Sequence, residues 1–542
     1  MASPAKFAVR LYGAAFFLLL FAVSLGMQIH SGAWSSDFGG HADEGAHVVT
    51  SLMVRDYIAG GWREESHPSR FAETYYRNFP KVAIGHYPPG FYAVAGLALL
   101  PTRDPAALLV LMALLSAAAG WLTMRLGRKV GLDSISASLV GLTFCLLPIT
   151  RTYTAIVMSD LLLTIFSLLS VICFIRFLEG GKIRDSLWFG IWAAAAILTK
   201  GSGLALGLLP LFSIPLLGRW ALFKNFRLWV SALPVLLLAL PWIWMTHGIT
   251  AEGMKEIAWS AYIFEAVPYY FNGMIHEAGW IAILLGIVGI VLLLWLRRAK
   301  NREITGGESV LLTYPVCVFV LICLVPTGLD TRYLLPVLPI VLVIATWAVA
   351  NFFRMRQIGY SNLGVSVAIA LILLASWRPV EKLYTGAAEA IAKASKDLPA
   401  VRNERRGILV LTDARGEGAL TASAAFDFPD SVRIFRGTKL LGSVDWMATD
   451  YQLLANTPEE MAELLKENDI PIVILEALPE NGNVLAHWSQ AEEWLHSDPK
   501  SIPATQIARV ESQRKNRKPT TFTVFQSEIA KSKVPQAIET VP

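Results

Sequence analysis

Ionisable side chains concentrate in one polar stretch near the start of the chain, residues 34–90. Asp43, Glu44 and His47 lie together near its beginning. Carboxylates and imidazoles are the groups that most often move protons in catalysis. In a helix, Asp43 and Glu44 would point about 100 degrees apart, whereas His47 would share the face of Asp43. We predict that Asp43 carries chemistry here; a capped, solvated amphipathic helix is the alternative.

Charged residues elsewhere stand at the ends of apolar segments. Asp160 precedes one such segment, Lys200 lies in a tight turn between two, and Arg332-Tyr333 begins another. Asp160 could instead be a helix-capping residue favoured by the helix dipole, and Lys200 could simply snorkel. Arg332 opposes the positive end of the helix dipole, so an anionic partner is favoured at that position.

Together these residues predict a site with carboxylates from two loops and cations from others. A carboxylate can accept the proton of an attacking hydroxyl. Cations can hold a phosphate leaving group and stabilise its charge as it departs, with arginine suited to bidentate contact. A sugar carried on a lipid phosphate needs both kinds of group.

Four further residues are weaker candidates for substrate contact. Arg151 and Tyr153 could line the site, or Arg151 could anchor the chain at the membrane interface. His86 and Tyr87 precede two prolines, and an aromatic belt is an equally good reading of that pair.

Composition places the chain among membrane proteins. Of 542 residues, 54% are hydrophobic and 16% charged, against about 25% charged in a soluble domain. The net charge of +5 is small for this length and gives no reason to expect nucleic-acid binding. All four cysteines fall in apolar runs, so we expect neither a disulfide framework nor a cysteine metal site.

Hydrophobic runs predict a polytopic α-helical membrane protein with about eleven transmembrane helices. Their cores contain no Asp, Glu, Lys or Arg. The first run follows Lys6 and Arg10 and resembles a signal peptide, but it is long enough to span and we expect it to be retained. The predicted spans are 11–29, 105–124, 133–150, 161–178, 186–199, 203–217, 228–246, 278–296, 309–326, 333–350 and 360–377.

Basic residues fall on every second connecting loop, which is the positive-inside pattern and places the N-terminus in the cytoplasm. The apolar segment 91–100 would reverse this alternation if it crossed, and it is too short to do so. We therefore expect 87–101 to be an interfacial or re-entrant helix that begins at Pro88-Pro89. The loop 34–104 and the turns near 151–160, 200–202, 247–277 and 327–332 then lie outside the cytoplasm.

From residue 379 the composition becomes that of a soluble protein. Predicted strands lie at 407–412, 432–435 and 472–475, with a helix at 457–468 that is capped by Thr457 and another near 484–495. Segments 507–510 and 521–525 are predicted to form an antiparallel hairpin. This pattern predicts a small extracytoplasmic α/β domain. The predicted domains are 1–378, a transmembrane catalytic domain that includes the loop 34–104; 379–528, the α/β domain; and 529–542, a disordered tail.

The order of these motifs resembles the GT-C superfamily of membrane glycosyltransferases. The similarity is greatest to the aminoarabinose transferase and protein O-mannosyltransferase branch, covers about residues 1–350, and rests on short motifs in a shared order and topology. The motifs are Asp43-Glu44, Pro88-Pro89, Asp160, Thr199-Lys200-Gly201 and Arg332-Tyr333-Leu-Leu-Pro336.

The resemblance implies that Asp43 is the catalytic carboxylate and Asp160 a supporting one. The donor would be a polyprenyl-phosphate sugar. Aminoarabinose transferases carry a Lys-Pro-Pro or similar element where this chain has His86-Tyr87-Pro-Pro, so the phosphate contact falls to His86 or to Lys81. No cofactor is required by the resemblance. A divalent cation stays open, because relatives with lipid-diphosphate donors need one; its ligands would be Asp43, His47 and Asp160.

The sequence thus predicts an inverting sugar transferase of the bacterial inner membrane, with its C-terminal domain in the periplasm. Expected partners are the lipid-linked donor, membrane lipids, and an acceptor glycolipid, polysaccharide or protein. The predicted substrate-binding residues are Glu44, His47, Lys81, His86, Tyr87, Arg151, Tyr153, Lys200, Arg332 and Tyr333. The alternatives are a transporter or flippase of a lipid-linked substrate and a non-catalytic membrane anchor, but the uncharged span cores disfavour ion-coupled transport.

Overall fold

A computed structural model describes residues 4–255, 257–299, 302–357, 360–396, 405–444, 450–479, 484–497, 500–515 and 517–528. The predicted tail 529–542 lies outside these residues. The chain divides into two compact units. Unit 1 comprises Met1–Ser31, Ile84–Val94 and Leu108–Glu381, and unit 2 comprises Gly32–Ala83, Ala95–Ala107 and Lys382–Pro542.

The first ten helices run from the N-terminus to the end of the predicted sixth span. They are α1 Pro4–His30, α2 Glu44–Ala59, α3 Pro68–Asn78, α4 Gly90–Ala98, α5 Ala106–Lys129, α6 Ser134–Leu146, α7 Pro148–Ala155, α8 Asp160–Gly180, α9 Ile183–Ile197 and α10 Ala205–Leu216.

The next eight helices complete unit 1. They are α11 Phe226–Trp229, α12 Ala232–Pro234, α13 Leu240–Ala251, α14 Trp259–Ala278, α15 Trp280–Ala299, α16 Gly306–Leu324, α17 Leu338–Met355 and α18 Ser361–Ser376. A π-helical segment, Val235–Ala239, joins α12 to α13.

The C-terminal elements alternate strands with helices. They are α19 Ala387–Lys396, β1 Arg406–Leu411, α20 Ala414–Asp427, β2 Val432–Arg436, α21 Gly437–Leu440, β3 Gly442–Val444, β4 Tyr451–Leu453, α22 Pro458–Glu467, β5 Ile472–Glu476, α23 Ala486–Ser497, β6 Ala504–Ser512 and β7 Thr520–Ser527.

Within the described residues, seven helical segments are long and apolar enough to cross a membrane, and an eighth is the bent pair α6–α7. The bend of 58° falls where Pro148 forces Leu147 into an extended conformation. The polytopic helical fold is confirmed. The predicted spans 186–199, 203–217 and 360–377 are helical, as α9, α10 and α18, but shorter than a standard crossing.

One predicted loop, 247–277, is largely helical, because α14 occupies Trp259–Ala278. The predicted interfacial helix begins at Gly90, directly after Pro88-Pro89, as expected from the position of those prolines.

The loops at one end of unit 1 are the basic ones, and they contact one another. Lys129 Nζ lies 2.5 Å from a Glu179 carboxylate oxygen, and Arg354 donates to the Gly131 carbonyl. Arg219 donates to the Leu178 carbonyl at 2.7 Å. Four of the basic loops of unit 1 therefore contact one another at a shared end.

Unit 2 contains a five-stranded mixed sheet in the order β2-β1-β5-β7-β6. β1 pairs in parallel with β2 and β5, while β7 pairs antiparallel with β5 and β6. The predicted C-terminal α/β fold is confirmed, including the hairpin and the helix capped by Thr457, whose hydroxyl accepts from Glu460 N at 3.2 Å. Helices α19 and α20 were not predicted.

Helix α2, from the predicted loop 34–104, packs against α20 within unit 2. A Cβ atom added at Gly45 would lie 2.5 Å from the backbone of Gly418, so the two helices cross at glycine contact distance. Residues 32–83 and 95–107 therefore belong to the same compact unit as the C-terminal segment. From sequence alone, the loop 34–104 was assigned to the transmembrane domain. The domain boundaries at 378 and 528 stay a prediction.

Candidate functional site

The predicted site residues fall in both compact units. In unit 1, Lys200 Nζ lies 2.6 Å from Asp160 Oδ1, and both side chains are almost fully buried. Asp160 is the first residue of α8, where the positive end of the helix dipole favours a carboxylate. The other oxygen of Asp160 has no hydrogen-bond partner among the described residues. The pair thus retains an acceptor for a further donor group.

The aromatic ring of Tyr333 contacts both Lys200 and Arg332. The ammonium of Lys200 lies 4.5 Å from the centre of the Tyr333 ring, and the guanidinium carbon of Arg332 lies 5.6 Å from it. Arg332 also pairs with Asp330 at 3.3 Å and donates to the hydroxyl of Tyr87 at 3.3 Å. The buried ammonium and guanidinium therefore share one aromatic ring, each beside a carboxylate, and both are groups that bind phosphates.

A close backbone contact brings Tyr87 to this cluster. Gly90 N donates to the Leu198 carbonyl at 2.7 Å, and a Cβ atom at Gly90 would lie 2.7 Å from that same oxygen. The Pro88-Pro89-Gly90 element therefore packs directly on the turn that carries Lys200, and that approach requires glycine.

The remaining unit 1 candidates differ in their surroundings. Tyr153 is buried within electrostatic range of Asp330, Asp160 and Arg332, so it lies beside the cluster. Arg151 is also buried, but its guanidinium stacks 4.2 Å from the Trp377 ring centre and donates to the Arg378 carbonyl. These contacts match the alternative reading of Arg151 as an anchoring residue, and its predicted substrate contact stays a prediction.

His86 lies at the start of the Pro88-Pro89 element with a mostly buried side chain. Its Nε2 is 3.9 Å from a carboxylate oxygen of Glu252, which is itself exposed. Thr250 fixes the same turn by donating to the Gly85 carbonyl at 3.1 Å. The imidazole therefore has an acidic neighbour within unit 1.

In unit 2, Asp43 is the residue directly before α2. Its side chain is 19% exposed and its carboxylate does not cap the helix. His41 Nδ1 lies 3.8 Å from Asp43 Oδ2 and accepts a hydrogen bond from the Asp43 backbone N–H at 3.1 Å. A partly exposed carboxylate beside an imidazole is a reasonable proton acceptor.

Glu44 and His47 are both fully buried. Glu44 forms an ion pair with Lys382 at 2.8 Å and accepts from Gly40 N at 2.8 Å, so it secures the start of α2. His47 N donates to the Asp43 carbonyl in the first helical turn. Substrate contact by these two residues stays a prediction, and the observed role of Glu44 is to fix the helix that follows Asp43.

Lys81 lies in the same unit, within electrostatic range of Asp43, Arg436 and Glu417. Desolvation, followed by repulsion from Arg436, lowers the pKa of Lys81 to about 8. Arg436 also donates to the Pro80 carbonyl at 3.2 Å and pairs with Glu417 at 2.7 Å. Arg436 thus fixes the backbone next to Lys81, and Arg436 and Glu417 both influence the pKa of Lys81.

No group of three His, Cys, Asp or Glu side chains is arranged as a metal site within the described ranges. Asp43 has His41 and Lys81 as neighbours in unit 2, and Asp160 is paired with Lys200 in unit 1. Whether the protein needs a divalent cation stays a prediction.

Several residues of these clusters were missed by sequence reasoning. Asp330 could have been found, because an aspartate two residues before Arg332 is a helix-capping signal, and its side chain does accept from Arg332 N. Lys382 stands 338 residues from its partner Glu44. Arg436 and Glu417 are similarly remote from Lys81, so no local pattern could have paired them.

Comparison with known proteins gives one family match. A family model described as dolichyl-phosphate-mannose-protein mannosyltransferase matches residues 58–251. No curated protein sequence matches the chain.

Solved structures give matches over most of the chain. The aminoarabinose transferase ArnT from Cupriavidus metallidurans bound to undecaprenyl phosphate aligns with a TM-score of 0.55 and 13% identity, covering 96% of this chain and 98% of that one. Its apo form aligns with the same score and 14% identity over the same shares. AglB, an oligosaccharyltransferase from Archaeoglobus fulgidus in complex with an inhibitory peptide and a dolichol-phosphate, aligns with a TM-score of 0.52 and 11% identity, covering 85% of this chain and 69% of that one. The predicted resemblance is confirmed by these matches.

Proposed function

We propose that this membrane glycosyltransferase of the GT-C class transfers a sugar from a polyprenyl-phosphate donor to an acceptor of the cell envelope. Two solved structures of the same fold hold undecaprenyl phosphate or dolichol-phosphate, and the matching family is described by a dolichyl-phosphate-mannose donor. The observation that carries the proposal is the buried cation cluster of Lys200 and Arg332 on Tyr333 in unit 1.

In this proposal the two cations bind the donor phosphate. Arg332 offers a planar fork for two phosphate oxygens and Lys200 a point charge. Asp160 fixes the Lys200 ammonium, and Asp330 with Tyr87 orients the guanidinium. As the sugar–phosphate bond breaks, negative charge accumulates on the phosphate, and preplaced cations stabilise it without reorganisation.

Asp43 is the proposed base, a role that rests on the resemblance of the Asp43-Glu44 motif and on its partly exposed carboxylate. It accepts the proton of the acceptor hydroxyl or amine while that group attacks the anomeric carbon. The bond from that carbon to the phosphate oxygen breaks, and polyprenyl phosphate leaves with the electron pair. Attack opposite the phosphate inverts the anomeric carbon.

We further propose eleven crossings, with the N-terminus in the cytoplasm and the α/β domain on the other side of a bacterial inner membrane. The sharing of one end by the basic loops supports this arrangement. Lipid, polysaccharide and protein acceptors all stay open. A transporter of a lipid-linked substrate is the competing function, although the span cores lack the ionisable groups of coupled transporters.

The test is product formation in proteoliposomes supplied with a radiolabelled polyprenyl-phosphate sugar and envelope extract as acceptor. Asp43→Asn should lose at least a hundredfold in rate, in the range typical of a lost general base. Glu64→Gln, which changes an exposed acid of the same predicted loop, should keep wild-type activity. Donor that crosses the bilayer uncleaved would support a transporter, and full activity of Asp43→Asn would refute the assigned base.

A further inference from the structure

A cavity of about 830 Å³ opens in unit 1 where α10 and α15 end and α16 begins. Its wall combines apolar and cationic side chains. Leu216, Leu217 and Leu294 form the apolar part, and four arginines, Arg219, Arg297, Arg298 and Arg302, supply the charge.

The positive charge in this cavity is only partly compensated within the chain. Arg302 pairs with Glu308 at 2.5 Å, and Arg219 donates to the Leu178 carbonyl. Arg297 and Arg298 form no ion pair with any residue that the structure describes, and Glu303 is the acidic residue of the cavity wall. Two exposed guanidinium groups without a carboxylate partner among the described residues therefore lie beside leucines in an amphipathic cavity.

The cavity lies at the opposite end of α10 from Lys200. Helix α10 begins a few residues after Lys200 and ends at Leu216, and its 12 residues span about 18 Å. The neighbouring backbone belongs to the basic loops, since a Cβ atom at Gly306 would lie 2.9 Å from Leu178 Cβ. The cavity is thus separate from the cation cluster on Tyr333.

We propose that this cavity binds an anionic phospholipid of the membrane leaflet at the basic end. The phosphate of the headgroup would contact Arg297 and Arg298, and an acyl chain would lie along Leu216, Leu217 and Leu294. Basic pockets between transmembrane helices on the cytoplasmic side commonly bind such headgroups. The leucines argue for a lipid, because free phosphate would leave that wall exposed to water.

The full-length protein in detergent is titrated with short-chain phosphatidylglycerol, with phosphatidylcholine of the same chain length, and with glycerol phosphate. Bound lipid is counted by native mass spectrometry. We expect at least tenfold tighter binding of phosphatidylglycerol than of the other two. The double substitution Arg297→Gln, Arg298→Gln should remove that preference.

The matched control is Arg184→Gln, Arg356→Gln, which removes two exposed arginines of the basic loops that do not line the cavity. It should keep the preference for phosphatidylglycerol. Equal losses in both double variants would overturn the proposal in favour of general surface attraction. Equal binding of glycerol phosphate would replace the lipid with a simple phosphate site, and equal binding of phosphatidylcholine would leave the arginines without a role. None of these results bears on sugar transfer.

Discussion

At the scale of single residues, burial determines the cost of each charge. Asp160 is fully buried and Lys200 is 4% exposed, so neither charge is stabilised by bulk water. A buried ion pair adds little net stability, but the removal of one partner leaves an uncompensated buried charge. The pair is therefore better explained as a way of holding an ammonium group in place than as a source of stability.

This argument predicts the behaviour of a double-mutant cycle. Lys200→Met and Asp160→Asn should each lower the free energy of unfolding by about 3–5 kcal/mol, while the double variant should lose clearly less than the sum. Denaturant unfolding in detergent micelles, followed by tryptophan fluorescence, measures these values. Additive losses would mean that the two side chains do not depend on each other.

Lys81 predicts a pH dependence of donor use. Its lowered pKa of about 8 means that the ammonium form is lost as the pH rises through 8. If that ammonium contacts the donor phosphate, kcat/KM for the donor should fall by up to about tenfold per pH unit above 8. Lys81→Arg should remove this fall, because arginine stays protonated.

Stability should change with pH in the opposite direction. The folded pKa lies below the unfolded value of 10.5, so between pH 8 and 10.5 the unfolded chain binds more protons and the unfolding free energy rises with pH. A parallel fall of activity and stability above pH 8 would therefore indicate that another group titrates. An unchanged pH profile in Lys81→Arg would exclude Lys81 from donor binding.

Residue types and their order could be predicted from sequence, but their partners could not. Lys200, Arg332 and Asp160 were recognisable because charges are rare beside apolar segments, and the structure joins them through Tyr333. The partner of Glu44 is Lys382, far along the chain, and folding alone brings the two together. Glu44 was therefore predicted as a site residue from its local sequence alone, and its ion pair with Lys382 could not be predicted.

At the scale of elements, helices α2 and α20 cross at two glycines, Gly45 and Gly418, which differ in how much space there is for an added Cβ atom. A Cβ atom at Gly45 would lie 2.5 Å from the Gly418 backbone, whereas one at Gly418 would lie 3.5 Å from its nearest neighbour. Gly45→Ala should therefore cost about 1–3 kcal/mol through overpacking. Gly418→Ala should be close to neutral, since alanine also favours the helix. Thermal unfolding compares the two variants.

The outcome also tests whether α20 positions Asp43. If the crossing fixes the start of α2, Gly45→Ala should lower kcat at a temperature where the protein stays folded, and Gly418→Ala should not. Equal effects of the two substitutions would contradict the asymmetric packing.

Helices and strands with a clear periodic pattern of hydrophobic residues could be predicted from the sequence. Helices α20 and α14 could not, because glycines or polar residues hide that pattern. Glycines at 416 and 418 each disfavour a helix by about 1 kcal/mol, so the sequence did not indicate α20. Only Gly416 of these two is required by close packing, because a Cβ atom there would lie 2.2 Å from the Thr412 hydroxyl. Helix α14 contains tyrosines, an asparagine and a histidine, so it looked like a polar loop.

At the scale of the whole molecule, charge alternation along the sequence corresponds to two chemically distinct ends of unit 1. One end carries the contacting basic loops, such as Lys129 with Glu179. The other carries Lys200, Asp160 and Arg332. A crossing number of eleven would place the predicted first loop and the C-terminal domain on the same side of the membrane, whereas eight would separate them.

Cysteine labelling distinguishes these crossing numbers. The four native cysteines are buried and should give little background. In intact cells, a membrane-impermeant maleimide should label Glu64→Cys and Lys500→Cys, which are exposed positions of unit 2. Arg184→Cys, at the basic end, should react only after permeabilisation. Eleven crossings place ten of them, an even number, between positions 64 and 500, so labelling of these two positions from opposite sides of the membrane would contradict that number. Labelling of position 184 in intact cells would show that the protein has the opposite orientation to the one proposed.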